Sequence, residues 1–279
     1  MFGFYSWIYT ISQLTHKVRK VCAAVDVAAD GDRGIVTVTL ALEKIGRVAF
    51  AAAGDGDWTI SDWKETQLEN NTLSFQGKLH FVSSREDGVI HVSVIDLPPL
   101  SRRRPLEVEG EESVEKTVPR PRTIATCSSE EIYMPSLVEL GSELMLVGYN
   151  DRSLSRILVL RVADLEMDMT VPVVSIGDHV LFIGARSLCV SSGSLPSIGG
   201  NSIVLFHAGE NYLVQYHLGT GSWSPACDGH LMLRPPLRPG SLIHHIFTCC
   251  YRQFWNKGLI FCSKTEPEWW AMKRYRYGA

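Results

Sequence analysis

What this chain lacks narrows it before any motif is sought. Its 279 residues hold seven cysteines, Cys22, Cys127, Cys189, Cys227, Cys249, Cys250 and Cys262, with no Cys-x-x-Cys pair among them. An odd, scattered set in a chain this long excludes a small disulfide-stapled scaffold and predicts reduced thiols in an intracellular protein, cytoplasmic or nuclear. A formal net charge of −3 gives no global basic field, so nucleic acid is not expected as a partner. No apolar run reaches the roughly 20 residues that a bilayer crossing needs, and no membrane partner is expected. The apolar start, MFGFYSWIYTISQL, has no basic residue ahead of it; Lys17, Arg19 and Lys20 follow instead, the reverse of a secretory signal. Residues 1–20 read as an atypical N-terminal segment lying against the domain.

What is present is mostly strand. Hydrophobic residues make up 45% and charged residues 20%, enough apolar surface to exclude a disordered chain. GKLHFVSSREDGVIHVSVID (77–96) alternates apolar and polar residues around a charged, glycine-containing break, the pattern of a hairpin. Runs at 21–27, 34–42 and 46–53 precede it, and further hairpins are expected at 142–165, 179–191 and 201–223. Between them, residues 98–122 mix prolines with dense charge of both signs and read as a long solvated loop. The stretch 232–239 is proline-rich, and another apolar run, 242–247, follows it.

Two hairpin strands cannot stand alone in water, so the hairpins must cover one another. The pattern of two apolar residues, Phe, then Trp eight positions on occurs at Val48-Ala49-Phe50 with Trp58, and again at Leu259-Ile260-Phe261 with Trp269. In 212–223 a tryptophan falls just past a Gly-Thr turn, as in kelch-like blades. Repeats of about 40–50 residues built from four short strands point to a β-propeller, whose blades bury their faces on their neighbours. The strands suffice for about three to four blades, where a propeller closes with about 4–8. The expected fold is therefore all-β, an incomplete β-propeller of kelch-like four-stranded blades over residues 21–279 with a short N-terminal segment.

Several stretches together resemble the KIB-type β-propeller domain of plant F-box proteins. They are Ile176-Gly177-Asp178-His179-Val180-Leu181-Phe182-Ile183-Gly184, Cys189-Val190-Ser191, and Leu195-Pro196 through Gly200-Asn201-Ser202-Ile203-Val204-Leu205-Phe206. Phe50 to Trp58, Phe75-Gln76-Gly77-Lys78-Leu79-His80, Leu137-Val138-Glu139 and Glu143-Leu144-Met145-Leu146-Val147 match further landmarks of that domain in the same order. The resemblance covers about residues 21–223. It implies a substrate-recognition propeller associated with a ubiquitin ligase. Its members usually begin with an F-box that docks the ligase adaptor; no such segment precedes Val21, so adaptor binding is not expected of this chain.

Candidate sites read as structural. The glycine-rich 193–202 lacks the Lys-Ser/Thr of a phosphate loop and opens no helix, so it reads as a turn between strands. His244-His245 with Cys249-Cys250 holds metal-ligand types, but on a strand neighbouring residues face opposite ways and no tetrahedral set results. Asp178-His179 near Ser175 and Ser187 suggests a triad, without the Gly-x-Ser-x-Gly elbow that would place a nucleophile. Asp55 and Asp57 sit in a Gly-Asp turn, where Asp serves local hydrogen bonds. Arg102-Arg103-Arg104 with Arg120 and Arg122 is interleaved with Glu107, Glu109, Glu111, Glu112 and Glu115, which cancel it. Trp269 and Trp270, in a C-terminal stretch rich in Trp, Tyr and Arg, read as blade core, with an exposed interface as the alternative.

The reading is thus a non-enzymatic interaction module for an unidentified protein partner, with no catalytic, cofactor or metal residues assigned and its partner-binding residues unknown. The alternative is a propeller enzyme acting on a sugar or small molecule through a central channel, which needs two carboxylates about 5–9.5 Å apart.

Overall fold

The computed structural model describes residues 21–30, 33–69, 72–84, 87–97, 117–184, 186–195, 197–207 and 213–226, with Leu242, Ile243, Ile246 and Cys250. They form strands in four sheets, with only short helical turns between them. The chain divides into two compact units between Val173 and Val174, where no change of composition marks a boundary. No helix among the described residues is long and apolar enough to cross a membrane.

The first unit holds three sheets. In the first sheet, β1 (Val21–Asp30), β2 (Arg33–Leu42), β3 (Arg47–Ala52) and β4 (Thr59–Ile60) are antiparallel neighbours in that order. The second is β5 (Thr72–Phe75), β6 (Lys78–Ser84), β7 (Val89–Ile95) and β8 (Arg122–Ser128), again antiparallel throughout. The third runs β11 (Ile157–Arg161), β10 (Glu143–Tyr149), β9 (Tyr133–Leu140), and one helical turn, α1 (Val162–Leu165), follows β11. The hairpin 77–96 is β6–β7, and 142–165 is β10–β11 followed by α1.

The second sheet lies between the other two, and alternation along β6 shows how. Leu79 and Phe81 join Cys22, Ala24, Val48 and Phe50 of the first sheet in one core. Val82, on the opposite face, joins Leu137, Leu146 and Leu160 of the third. Every residue from Leu79 to Ser83 is therefore buried. This is the nesting of blade on blade that a propeller requires. The first unit stacks three blades, and among the described residues neither unit closes a ring, so the fold is an incomplete β-propeller.

Phe75 pairs with Lys78, leaving Gln76-Gly77 as a two-residue loop. Both have positive φ, 47° and 75°, as a type I′ turn demands. A Cβ on Gly77 would meet Asp26 Oδ1 at 3.0 Å, so the hairpin tip rests on β1 only because it has no side chain there.

Two details of this unit differ from the sequence reading. Phe50 is 1% exposed, as a blade-core aromatic should be, but Trp58 is 49% exposed. Trp63 takes the buried place and donates its indole N–H to the Val118 carbonyl at 2.9 Å. That bond also corrects the far end of the charged loop. Val118 is 4% exposed in the core between the first two sheets, and Arg122 opens β8 rather than closing a solvated segment. Average composition hid a single apolar anchor among charged neighbours. Residues 98–116, with Arg102-Arg103-Arg104, lie outside the described residues.

The second unit is built on one sheet: β12 (His179–Ile183), β13 (Leu188–Ser191), β14 (Ser202–Phe206), β15 (Leu213–His217) and β16 (Ser222–Pro225), ordered β13-β12-β14-β15-β16. The hairpins expected at 179–191 and 201–223 are thus one sheet, joined where β12 and β14 run parallel. This five-stranded sheet departs from the expected four-stranded pattern. Because β13 folds back on one side of β12, the chain must cross to reach the other side, and a strand arriving that way lies parallel. The Trp223 ring lies 4.7 Å from those of Tyr216 and His207, tilted against each.

Leu242, Ile243, Ile246 and Cys250 are helical, where a strand was expected. The spacing of Ile243, Ile246 and Cys250, three and then four residues, is that of a helix face. Ile243 and Cys250 are buried with Phe182 and Leu213, and Ile246 packs against them.

Candidate functional site

Two of the sequence-selected candidates, Asp55 and Asp178, accept hydrogen bonds within turns. Asp55 Oδ2 accepts the Ala52 N–H at 3.0 Å, the local bond expected of an Asp in a tight turn. Asp178 lies in the turn before β12, where its carboxylate accepts hydrogen bonds from Ser191 at 3.1 Å and from Ser192. The Ser192 and Ser191 hydroxyls hold that carboxyl below its ordinary range. His179 Nδ1 sits 3.1 Å from the Ile176 carbonyl. Among the described residues no hydrogen bond joins Asp178 or His179 to Ser187, and Ser175 accepts from the Gly177 N–H at 3.2 Å.

The glycine-rich stretch is a connection, as its composition implied. It carries one 3₁₀ turn, Ser192–Ser194, and ends where a Cβ on Gly200 would lie 2.8 Å from the Gly177 carbonyl oxygen. Asn201 then clamps the crossover: its side-chain carbonyl accepts from the Ile176 N–H and its backbone carbonyl from the Leu218 N–H, each at 2.9 Å. His244, His245 and Cys249 lie outside the described residues, as do Trp269 and Trp270. The strand geometry invoked for the first three does not hold beside them, since their described neighbours are helical.

The site that the structure does assemble was not singled out in the sequence. Between the second and third sheets lies a cleft of about 290 Å³. Phe75, Val94, Ile124, Leu144 and Val162 give it an apolar floor, and charged side chains rim it. On the wall of the second sheet, Lys78 Nζ is 2.7 Å from Asp96 Oδ1. Arg122 grips the other oxygen of Asp96, through Nε at 3.0 Å and Nη2 at 2.6 Å. The strand register puts them there: Leu79 is paired with Ile95, so Lys78 and Asp96 face one another one step further out. Arg122 is paired with Val94, diagonal to Asp96. On the wall of the third sheet, Arg161 lies 3.3 Å from Glu143 and 3.7 Å from Asp164. Gln76 spans the mouth, donating to the Ser142 carbonyl at 3.4 Å.

Partial burial pushes the Asp96 carboxyl upward, but the hydrogen bonds from Lys78 and Arg122 outweigh it and hold the group below its ordinary value. Asp96 is thus an anion that organises two cations rather than a proton donor. His80, also lining the cleft, is 7% exposed and stacks edge-on against Phe75 at 5.6 Å. Its Nδ1 has no hydrogen-bond partner among the described residues. Burial is the largest influence on its imidazole and holds its pKa below 6.5, with the Lys78 backbone acting in the other direction. An unmet polar atom at such a depth is uncommon.

The order of sheets, the nested blade cores and the Gly-Asp and Gly-Gly-Asn turns all fall within one sequence profile, that of the KIB1-4 beta-propeller, which matches residues 9–222. The chain belongs to the KIB1-4 beta-propeller family. No curated protein sequence matches it. In this member of the family the cleft is a wedge between the second and third sheets, opening beside the β5–β6 and β9–β10 turns. The signal that could have found it is plain in retrospect. Folding 77–96 about Asp87 sets Lys78 opposite Asp96, an opposite-charge pair at one end of an otherwise apolar ladder.

Proposed function

We propose that this chain is a non-enzymatic protein-interaction module, presenting turn ends of its blades to a protein partner. The observation that carries the reading is the match to the KIB1-4 beta-propeller over residues 9–222. The resemblance to plant F-box proteins gives such a propeller the task of substrate recognition. The cleft agrees with that task in its chemistry, since two of its carboxylates, Asp96 and Glu143, serve as counter-ions to Lys78 and the two arginines. Docking of a ligase adaptor belongs to an F-box, so the propeller segment alone is not expected to recruit one. The setting is intracellular, in cytoplasm or nucleus, where the cysteines of the chain are expected to stay reduced.

The test is affinity purification of the chain with mass spectrometry, beside a version to which an F-box has been added. The expected result is a shared set of partners, with the ligase adaptor recovered only by the second version. Recovery of unrelated proteins by the two versions would remove the basis for the reading.

A further inference from the structure

Building on the interaction reading, we infer that the cleft between the second and third sheets is a pocket for one acidic side chain of a partner peptide. The side chain is flanked by apolar residues, and Lys78 and Arg122 hold its carboxylate.

Three features select this ligand. The first is the charge count on the wall of the second sheet. Two cations share one carboxylate, leaving an excess of one positive charge there. Lys78 has two further N–H donors, and Arg122 has its Nη1 group, beyond the bonds made to Asp96. Their side chains are half exposed or more, 52% and 63%, so these donors are open to a ligand. The second feature is the opposite wall. Glu143 and Glu166 line it with Arg161, which is paired to Glu143, so this wall keeps an excess of one negative charge; a run of acidic residues would be repelled while a single carboxylate on the far side is not. The third is the floor, where Phe75, Val94, Ile124, Leu144 and Val162 offer apolar surface to residues either side of the acid. His80 adds a polar ring to the base of the cleft. It is buried, lines that floor, and carries a ring nitrogen with no partner among the described residues.

The probe is a fluorescein-labelled, amidated tripeptide of leucine, glutamate and leucine, followed by fluorescence anisotropy against the full chain. The same peptide with glutamine, and one with three glutamates, are its controls. The glutamate peptide is expected to bind about tenfold more tightly than the glutamine one, the value of one charge-assisted contact. The three-glutamate peptide is expected to bind more weakly than the single-acid peptide. Lys78→Ala with Arg122→Ala should abolish the preference for glutamate, and Lys64→Ala, outside the cleft, should leave it intact. Asp96→Asn removes the internal competitor and should tighten binding of the glutamate peptide, a gain that misfolding cannot imitate. Equal binding of glutamate and glutamine peptides, or a preference that survives the double substitution, overturns the pocket. If the double variant still recovers the same partners in affinity purification, the pocket fails while the interaction reading stands.

Discussion

The first and second sheets are written in nearly the same alphabet and end in different environments. β1 is as apolar as β6 and β7, yet β6 is buried from Leu79 to Ser83 while Val25 and Val27 of β1 are 55% and 63% exposed. One face of the first sheet, with Cys22, Ala24, Ala41, Val48 and Phe50, enters a core. Its other face presents Val25, Val27, Val36 and Ile60 at exposures from 36% to 63%. The second sheet has a neighbour on each side and spends small polar residues, Ser83 and Ser93, on its buried positions. The difference teaches that alternation reports a strand, while the number of buried faces is decided by what stacks on it.

The largest effect should come where that stacking is densest. Phe81 is 1% exposed in the core shared by the two sheets. Phe81→Ala should cost about 3–5 kcal/mol, since it removes a large apolar group and leaves a cavity that rigid sheets on both sides cannot collapse. Urea unfolding followed by circular dichroism reads the loss. A cost below about 1 kcal/mol would mean that the core between the sheets is loose, and the comparison would break at its base.

The seam between the two sheets offers a smaller perturbation. Gly77 has a φ of 75°, and a Cβ there would press on the Asp26 side chain and lie 3.1 Å from the Val25 carbonyl oxygen. Gly77→Ala should destabilise by about 1–2 kcal/mol through the left-handed conformation alone, before any displacement of β1. Gly54, with a φ of 93° and nothing within 4 Å, is the control that separates the two causes. If Gly54→Ala costs as much as Gly77→Ala, the contact with β1 contributes nothing.

The pH response sharpens the contrast, because the buried histidine belongs to the second sheet. His80 has a folded pKa lowered from 6.5 by burial, against the Lys78 backbone and Asp96, while Lys78 and Arg122 lower it further. Between that lowered value and 6.5 the unfolded chain binds a proton that the folded chain refuses. Stability therefore rises with pH across this window and is lost as pH falls below 6.5. His80→Phe, which keeps the ring beside Phe75, should flatten the slope there. Asp96 acts lower: its depressed pKa gives stability present above 3.8 and lost as pH falls through the folded value. An unchanged slope near pH 6 in the His80→Phe variant would show that the imidazole is solvated.

The parts of this structure legible in sequence are those governed by period and local turn chemistry. Alternation in 77–96 located β6 and β7, and Asp55 makes the local turn bond that its Gly-Asp setting implied, whereas Gln76-Gly77, matched as part of a strand, forms a turn. Features set by long-range partners were not legible. Trp58 and Trp63 carry the same side chain five residues apart, and only the return of the chain at Val118 decides which is covered. The parallel pairing of β12 with β14 depends on β13 occupying the other side, which hairpin spacing does not encode. The helical residues near Cys250 were misread for a different reason: a short apolar run fits either period, and its spacing of three and four was outweighed by its strand-rich surroundings. The cleft combined two failures, since Lys78 and Asp96 could be paired by register but Arg122 was assigned to the charged loop.

The smallest effect lies on the open face of the first sheet, and it is the sharpest test of the contrast. Val27 is 63% exposed, so Val27→Thr exchanges one methyl for a hydroxyl that water can reach, and both residues favour strand. Its stability should change by less than about 0.5 kcal/mol. The same exchange at Val82, 1% exposed between the second and third sheets, buries a hydroxyl and should cost about 1–3 kcal/mol. The ratio between the two is informative where either number alone is not, because intrinsic strand preference cancels. Equal costs at Val27 and Val82 would mean that the valines of β1 are covered in solution as thoroughly as those of β6. The first sheet would then be a middle blade, with a neighbour on each face.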